Sequence, residues 1–196
     1  MLLRSVAFAA GLVTCQALAF AQEAAAPPAL VAQEATDPNG WRAAVWGMTE
    51  GEVLAAFPGE VVKARKPETY RDSRVATLEI PRYEVSGTTY RVLFGFDGLG
   101  YLASVSLFPF DSIAPGVAHE AAFNALEGLL IEKYGKPITT KDTTPSRTSV
   151  SRERTWRLPR TVITLTYFKA AGFGTVKGFD MLLLNYAPPD KEAEKL

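Results

Sequence analysis

Between Arg74 and Leu107 apolar and polar side chains alternate through three runs, and each change of run falls on a turn signal. Thr89–Asp97 places Tyr90, Val92, Phe94 and Phe96 on one face, and the run from Tyr101 places Tyr101, Ala103, Val105 and Leu107 on one face. Upstream, Ala76, Leu78 and Ile80 stand in phase until Pro81 shifts the phase to Tyr83 and Val85, which marks a bulge or an edge strand. Ser86-Gly87 and Asp97-Gly98-Leu99-Gly100 supply the turns. Strands joined this way pair antiparallel, and such sheets commonly carry helices on one face while the other meets water.

Two helices are predicted around these strands. Thr49-Glu50-Gly51-Glu52 fits a capping box, Met48 and Val53 have the spacing of a hydrophobic staple, and Pro58-Gly59 ends the helix after about two turns. The second runs from about Pro115 to Tyr134, with Phe123, Leu126 and Leu130 at 3,4 spacing and Gly135 and Pro137 as its stop. After a polar Thr139–Ser146 loop come three more strand-like runs, Val150–Leu158, Thr161–Phe168 and Phe179–Ala187. The last is apolar on both parities, which predicts a central strand. The expectation is a two-layer α+β domain: an antiparallel sheet of about six strands with two helices on one face, in which a helix-strand-strand-strand order occurs twice, as an internal duplication would give. Opposite the apolar sets stand Thr89, Arg91, Gly95, Ser104, Ser106, Thr164 and Thr166, suited to a solvated face that takes a partner.

Only one stretch of this 196-residue chain reads as a targeting signal. Arg4, the apolar run Val6–Val13 and the small-x-small Ala19-Phe20-Ala21 predict an export signal over residues 1–21, cleaved before Gln22, and hence a periplasmic or secreted protein. Residues 22–40, rich in Ala, Pro, Gln and Glu, read as a disordered linker, 41–187 as the single domain, and 188–196 as a charged tail. No later stretch is long and apolar enough for a membrane span.

The chemistry-bearing residues are few. The only cysteine, Cys15, lies in the signal and the only histidine is His119, so a Cys/His zinc site, a thiol nucleophile and a disulfide framework are excluded from the mature chain. His119 falls at the edge of the second helix's apolar stripe and reads as a surface histidine, without the nucleophile and orienting carboxylate that a general base requires. No serine sits in a Gly-x-Ser-x-Gly elbow, and Gly172–Gly178 lacks the Gly-Lys-Ser/Thr ending of a phosphate loop, so it reads as a hairpin connection. No catalytic residue, cofactor or metal is expected, and the reading is of a protein that is not an enzyme.

Charge is balanced overall, at 21 Lys and Arg against 21 Asp and Glu, but it is not evenly distributed. From Val92 to Glu132 there is no Lys or Arg, only the acids Asp97, Asp111, Glu120, Glu127 and Glu132. From Lys133 to Lys169 the chain is strongly basic, with Arg147, Arg152, Arg154, Arg157 and Arg160 against Asp142 and Glu153 alone. Either this is a strand pair satisfied by internal ion pairs, or it is a face for an acidic protein partner with Trp156 as anchor. On the second reading Arg91, Arg152, Arg154 and Trp156 are the partner-binding residues. Nucleic acid is not an expected partner of an exported chain with no net charge.

Trp46-Gly47-Met48-Thr49 followed by Glu52-Val53 resembles the Gly-Met-Thr-x-x-x-Val opening of the BamE (SmpA/OmlA) outer-membrane lipoproteins and of β-lactamase-inhibitor-like domains. The resemblance covers Met48 to Phe57 and, more loosely, the following sheet. It implies an α+β domain of the bacterial envelope that acts by binding protein and carries no catalytic residues. The functional expectation is a protein-binding or envelope-assembly module, with inhibition of a secreted enzyme through a protruding loop such as Gly172–Gly178 as the alternative.

Overall fold

The computed structural model describes residues 37–110, 117–146, 149–172 and 178–190, without the side chains of Val117 and Ala118. The expected signal, most of the linker, the helix start at Pro115, the centre of the Gly172–Gly178 connection and the end of the charged tail lie outside the described residues.

A short ribbon, β1 (Gly40–Trp41) with β2 (Ala44–Val45), leads into α1 (Glu50–Ala56). The helix begins where the sequence predicts: Thr49 Oγ1 accepts from the Glu52 amide, and Glu52 Oε2 accepts from the Thr49 amide at 2.8 Å, so two of the amides that no helical carbonyl can reach are satisfied reciprocally. Then follow β3 (Val62–Thr69), β4 (Val75–Val85), β5 (Thr88–Phe96) and β6 (Leu102–Pro109). Ser86 and Gly87, with φ of 48° and 74°, turn β4 into β5 as a two-residue hairpin needs. Asp97 Oδ1 accepts from the Leu99 and Tyr101 amides and so fixes the next turn. After α2 (Val117–Tyr134) come β7 (Thr139–Ser146), β8 (Ser149–Arg157), β9 (Val162–Ala170) and β10 (Phe179–Ala187).

These last eight strands form one antiparallel sheet in the order β3-β4-β5-β6-β10-β9-β8-β7. The final strands of the two meanders, β6 and β10, therefore meet at the centre, where Leu184, Asn185 and Tyr186 stand opposite Leu107, Ser106 and Val105. One buried cluster joins Val53 and Phe57 of α1, Phe123, Leu126 and Leu130 of α2, and Tyr90, Val92, Phe94, Leu165 and Leu184 of the sheet. Trp46 ties the amino-terminal segment to the second meander: its indole nitrogen donates to the Arg160 carbonyl and to Thr161 Oγ1, each at 3.0 Å.

The expected two-layer α+β domain with about six strands is overturned. Among the described residues the chain is mostly β, with eight strands in the main sheet, a further two-stranded ribbon and two helices, of 7 and 18 residues. Besides the short β1–β2 ribbon, the strands not foreseen are β3 and β7, the two edges of the main sheet. An edge strand such as Thr139–Ser146, exposed at almost every position, buries no alternate set of side chains and leaves no period-two signal. Lys63, Arg65, Lys66 and Pro67 in β3, and Pro145 in β7, are the charges and prolines that keep such edges from pairing with another chain. Each helix is accordingly followed by four strands, and the predicted helix-strand-strand-strand unit does not describe the order.

Two local expectations also change. Leu102, not Tyr101, enters the core, because a bulge shifts the register between Gly95 and Phe96 and resets the phase of β6. His119 is buried, with Nδ1 3.1 Å from Asp180 Oδ1 of β10, and is not a surface residue. Its carboxylate partner lies 61 positions along the chain, beyond any helical spacing. The break at Pro81 is a bulge, since the β4–β5 register shifts between Ile80 and Tyr83 while β4 itself lies inside the sheet.

Candidate binding surface

Strand pleating sends successive side chains to opposite faces, so the residues between the core positions define a second face of the sheet. Along one row Leu93, Ser106, Asn185, Thr164 and Thr155 are register partners across β5, β6, β10, β9 and β8. Ser106 Oγ donates to Asn185 Oδ1 at 2.9 Å across the central β6–β10 pair. A neighbouring row continues through Leu183, Thr166 and Glu153, and the next through Met181, Phe168 and Ser151. At that end Phe168 and Phe179 pack ring to ring at 5.4 Å, while Phe179 is 56 % and Met181 40 % exposed.

At the other end the face is closed by Tyr70, in the turn between β3 and β4, and by ion pairs. Arg91 Nε reaches Glu79 and its Nη1 reaches Glu68, both at 2.6 Å, so one guanidinium bridges three strands. Tyr70 lies against Gly95: a Cβ there would fall 3.3 Å from the ring and 2.4 Å from Ser104 Oγ, and only glycine leaves the room. Beside it is a cavity of about 350 Å³ lined by Tyr70, Arg71, Arg74, Ser104, Ser106 and Asn185, among others. The hydroxyls of Tyr70 and Ser104 are buried with no protein partner. Burial pushes the Tyr70 phenol up, with a smaller opposing pull from Ser106, whose own hydroxyl is committed to Asn185.

The predicted partner-binding residues are not brought together. Arg91 lies on the face just described, whereas Arg152, Arg154 and Trp156 alternate onto the opposite side, among the residues that meet α2. Arg152 pairs with Glu120 of α2 at 2.7 Å, Arg154 with Glu127 of α2 and Asp142 of β7, and the buried Trp156 indole donates to the Gly135 carbonyl at 2.8 Å. The acidic and basic stretches of the sequence thus meet each other, helix on strand. Arg157, on the other parity, is exposed. Gly95, Ser104, Ser106, Thr164 and Thr166 lie on this face as the alternation predicts, whereas Tyr70, Asn185 and the exposed Phe179 were not foreseen as part of it: Tyr70 follows an edge strand with no signal, and Asn185 stands between apolar neighbours.

A second cavity, of about 440 Å³, opens on the helix side among Trp41, Tyr83, Leu126, Leu130, Tyr134 and Tyr186. Arg42 at its mouth already donates twice to Glu60 and lies over the rings of Trp41, Phe57 and Tyr83, so it brings no spare charge to a ligand. Among the described residues no group of three or more His, Cys, Asp or Glu is placed to hold a metal ion, and no helix is long and apolar enough to cross a membrane.

No protein-family model matches the chain, and no curated protein matches its sequence. Among solved structures it is similar to the crystal structure of a DUF4309 family protein (YjgB) from Bacillus subtilis, at 15 % identity, covering 72 % of this chain and 78 % of that one with a TM-score of 0.36. These comparisons indicate no enzyme family.

Proposed function

We propose that the protein is an exported binding module of the bacterial envelope, and that a protein partner docks on the open sheet face at the end of β9 and β10. The observation that carries this reading is the exposed Phe179 and Met181 beside Phe168, continuous with the polar row of Thr164, Thr166 and Asn185. An aromatic and methionine anchor ringed by hydrogen-bonding side chains is the composition of an interface centre, and an isolated sheet gains nothing from exposing it. The export-like residues 1–21 and the Gly-Met-Thr opening support an envelope setting.

Affinity capture by the full-length exported protein from envelope extract, at low and then moderate salt, tests the reading when run beside Phe179→Asp. Recovery of one partner by the parent protein and its loss with a folded Phe179→Asp supports it; equal recovery by both refutes the surface. A secreted enzyme as the recovered partner gives inhibition as the role, and an outer-membrane complex gives assembly.

A further inference from the structure

The cavity under Tyr70 lies away from the aromatic end of the face, and its chemistry is different. Ser104, 1 % exposed, points a hydroxyl with no protein partner at the site, and the Tyr70 phenol beside it is equally unpaired. Burying a hydroxyl without a partner costs free energy, and two at one spot that glycine has kept clear make a site lacking its complement. Apart from the Asp72 carboxylate and the Ser106 oxygen, the other polar groups bring donors too. Ser106 gives its proton to Asn185 Oδ1, which leaves the Asn185 amide hydrogens to point elsewhere, and Thr164 adds a hydroxyl. Arg74 is neutralised by Asp72, to which it donates from Nε at 2.8 Å and again from Nη2, and its Nη1 donates to the Ala103 carbonyl. Arg71 is exposed at the rim and has no carboxylate partner among the described residues. Among the described residues Asp72 is the only acid lining the cavity, against Arg71 and Arg74, so these side chains leave one positive charge unbalanced.

We propose that this cavity binds a carboxylate, with the Ser104 and Tyr70 hydroxyls and the Asn185 amide donating to its oxygens, Arg71 supplying the charge, and Leu183 and the Tyr70 ring contacting an apolar body. The volume, about 350 Å³, suits an acid of the size of benzoate or the carboxyl-terminal residue of a peptide. This goes beyond the docking of a partner at Phe179, since a free acid would bind here without any protein partner. The two hydroxyls themselves are shut from water, so their contact with an acid in the cavity requires the Tyr70 side chain to yield.

Calorimetric titration of the full-length exported protein with benzoate, benzamide, and a short peptide ending in phenylalanine with either a free or an amidated terminus reads the assignment. Saturable binding of benzoate, with benzamide at least about tenfold weaker, supports a small acid as ligand; binding of only the free-ended peptide supports a carboxylate supplied by a chain. Tyr70→Phe and Ser104→Ala are each expected to weaken binding about tenfold while the melting temperature holds or rises, because each removes an unpaired buried hydroxyl. Arg71→Ala, at an exposed position, is expected to weaken the acid and leave the amide unchanged. No saturable binding of either acid, equal binding of acid and amide, or a melting temperature lowered by Tyr70→Phe overturns the proposal, the last because the phenol is then bonded within the fold.

Discussion

Glu127 of α2 and Arg154 of β8 meet at 2.5 Å across the interface between helix and sheet, with the Arg154 side chain only 8 % exposed. Asp142 of the edge strand takes the other side of the guanidinium at 2.7 Å, and the Phe123 ring lies beneath it. Arg154→Glu is therefore expected to unfold the protein or nearly so. Arg154→Ala, which leaves Glu127 and Asp142 partly exposed to water, is expected to cost about 1–3 kcal/mol in urea unfolding. A midpoint unchanged by Arg154→Ala would favour the partner-binding reading of this arginine over the ion-paired one, the two that its sequence leaves open.

Loss of the Thr49 cap isolates a local contribution. Thr49→Ala removes the acceptor for the Glu52 amide and is expected to lower stability by about 1 kcal/mol with no change in the urea slope.

Stability should fall at both ends of the pH scale. Arg154 holds the Asp142 carboxyl below its usual range, and Arg74 does the same for Asp72. The folded state thus binds these protons more weakly than the unfolded chain does, so their contribution is complete above the ordinary carboxylate value near 4 and is lost as pH falls through the lowered values. Burial pushes the Tyr90 phenol up to about 12, and Tyr186 rises for the same reason. Here the folded state keeps protons that the unfolded chain releases, so stability is complete below pH 10 and declines as pH rises from about 10 to about 12. Urea midpoints across pH 2–12 should trace both limbs, and Asp142→Asn should flatten part of the acid one.

Phe179 separates surface from core. Phe179→Ala is expected to leave the melting temperature within about 2 °C of the parent, since the side chain is already more than half exposed, while abolishing partner capture. A large loss of stability would make the ring structural.

Capping box, turns and alternation are local properties, and for that reason the sequence alone determined α1 at Thr49, the Ser86-Gly87 and Asp97–Gly100 turns, the buried set Tyr90, Val92, Phe94 and Phe96, and the interior place of Phe179–Ala187. Each rests on residues within about ten positions of one another, where spacing fixes geometry. Tertiary structure decided what depends on distant partners. Edge strands β3 and β7 exist because a neighbour offers a hydrogen-bonding ladder, not because their own side chains alternate. His119 is buried where the fold brings β10 and its Asp180 against α2, and Arg152 and Arg154 turn inward where acids on α2 face them. The cavity under Tyr70 needs Gly95, Ser104 and Asn185 from three strands at once, a coincidence that sheet order alone creates.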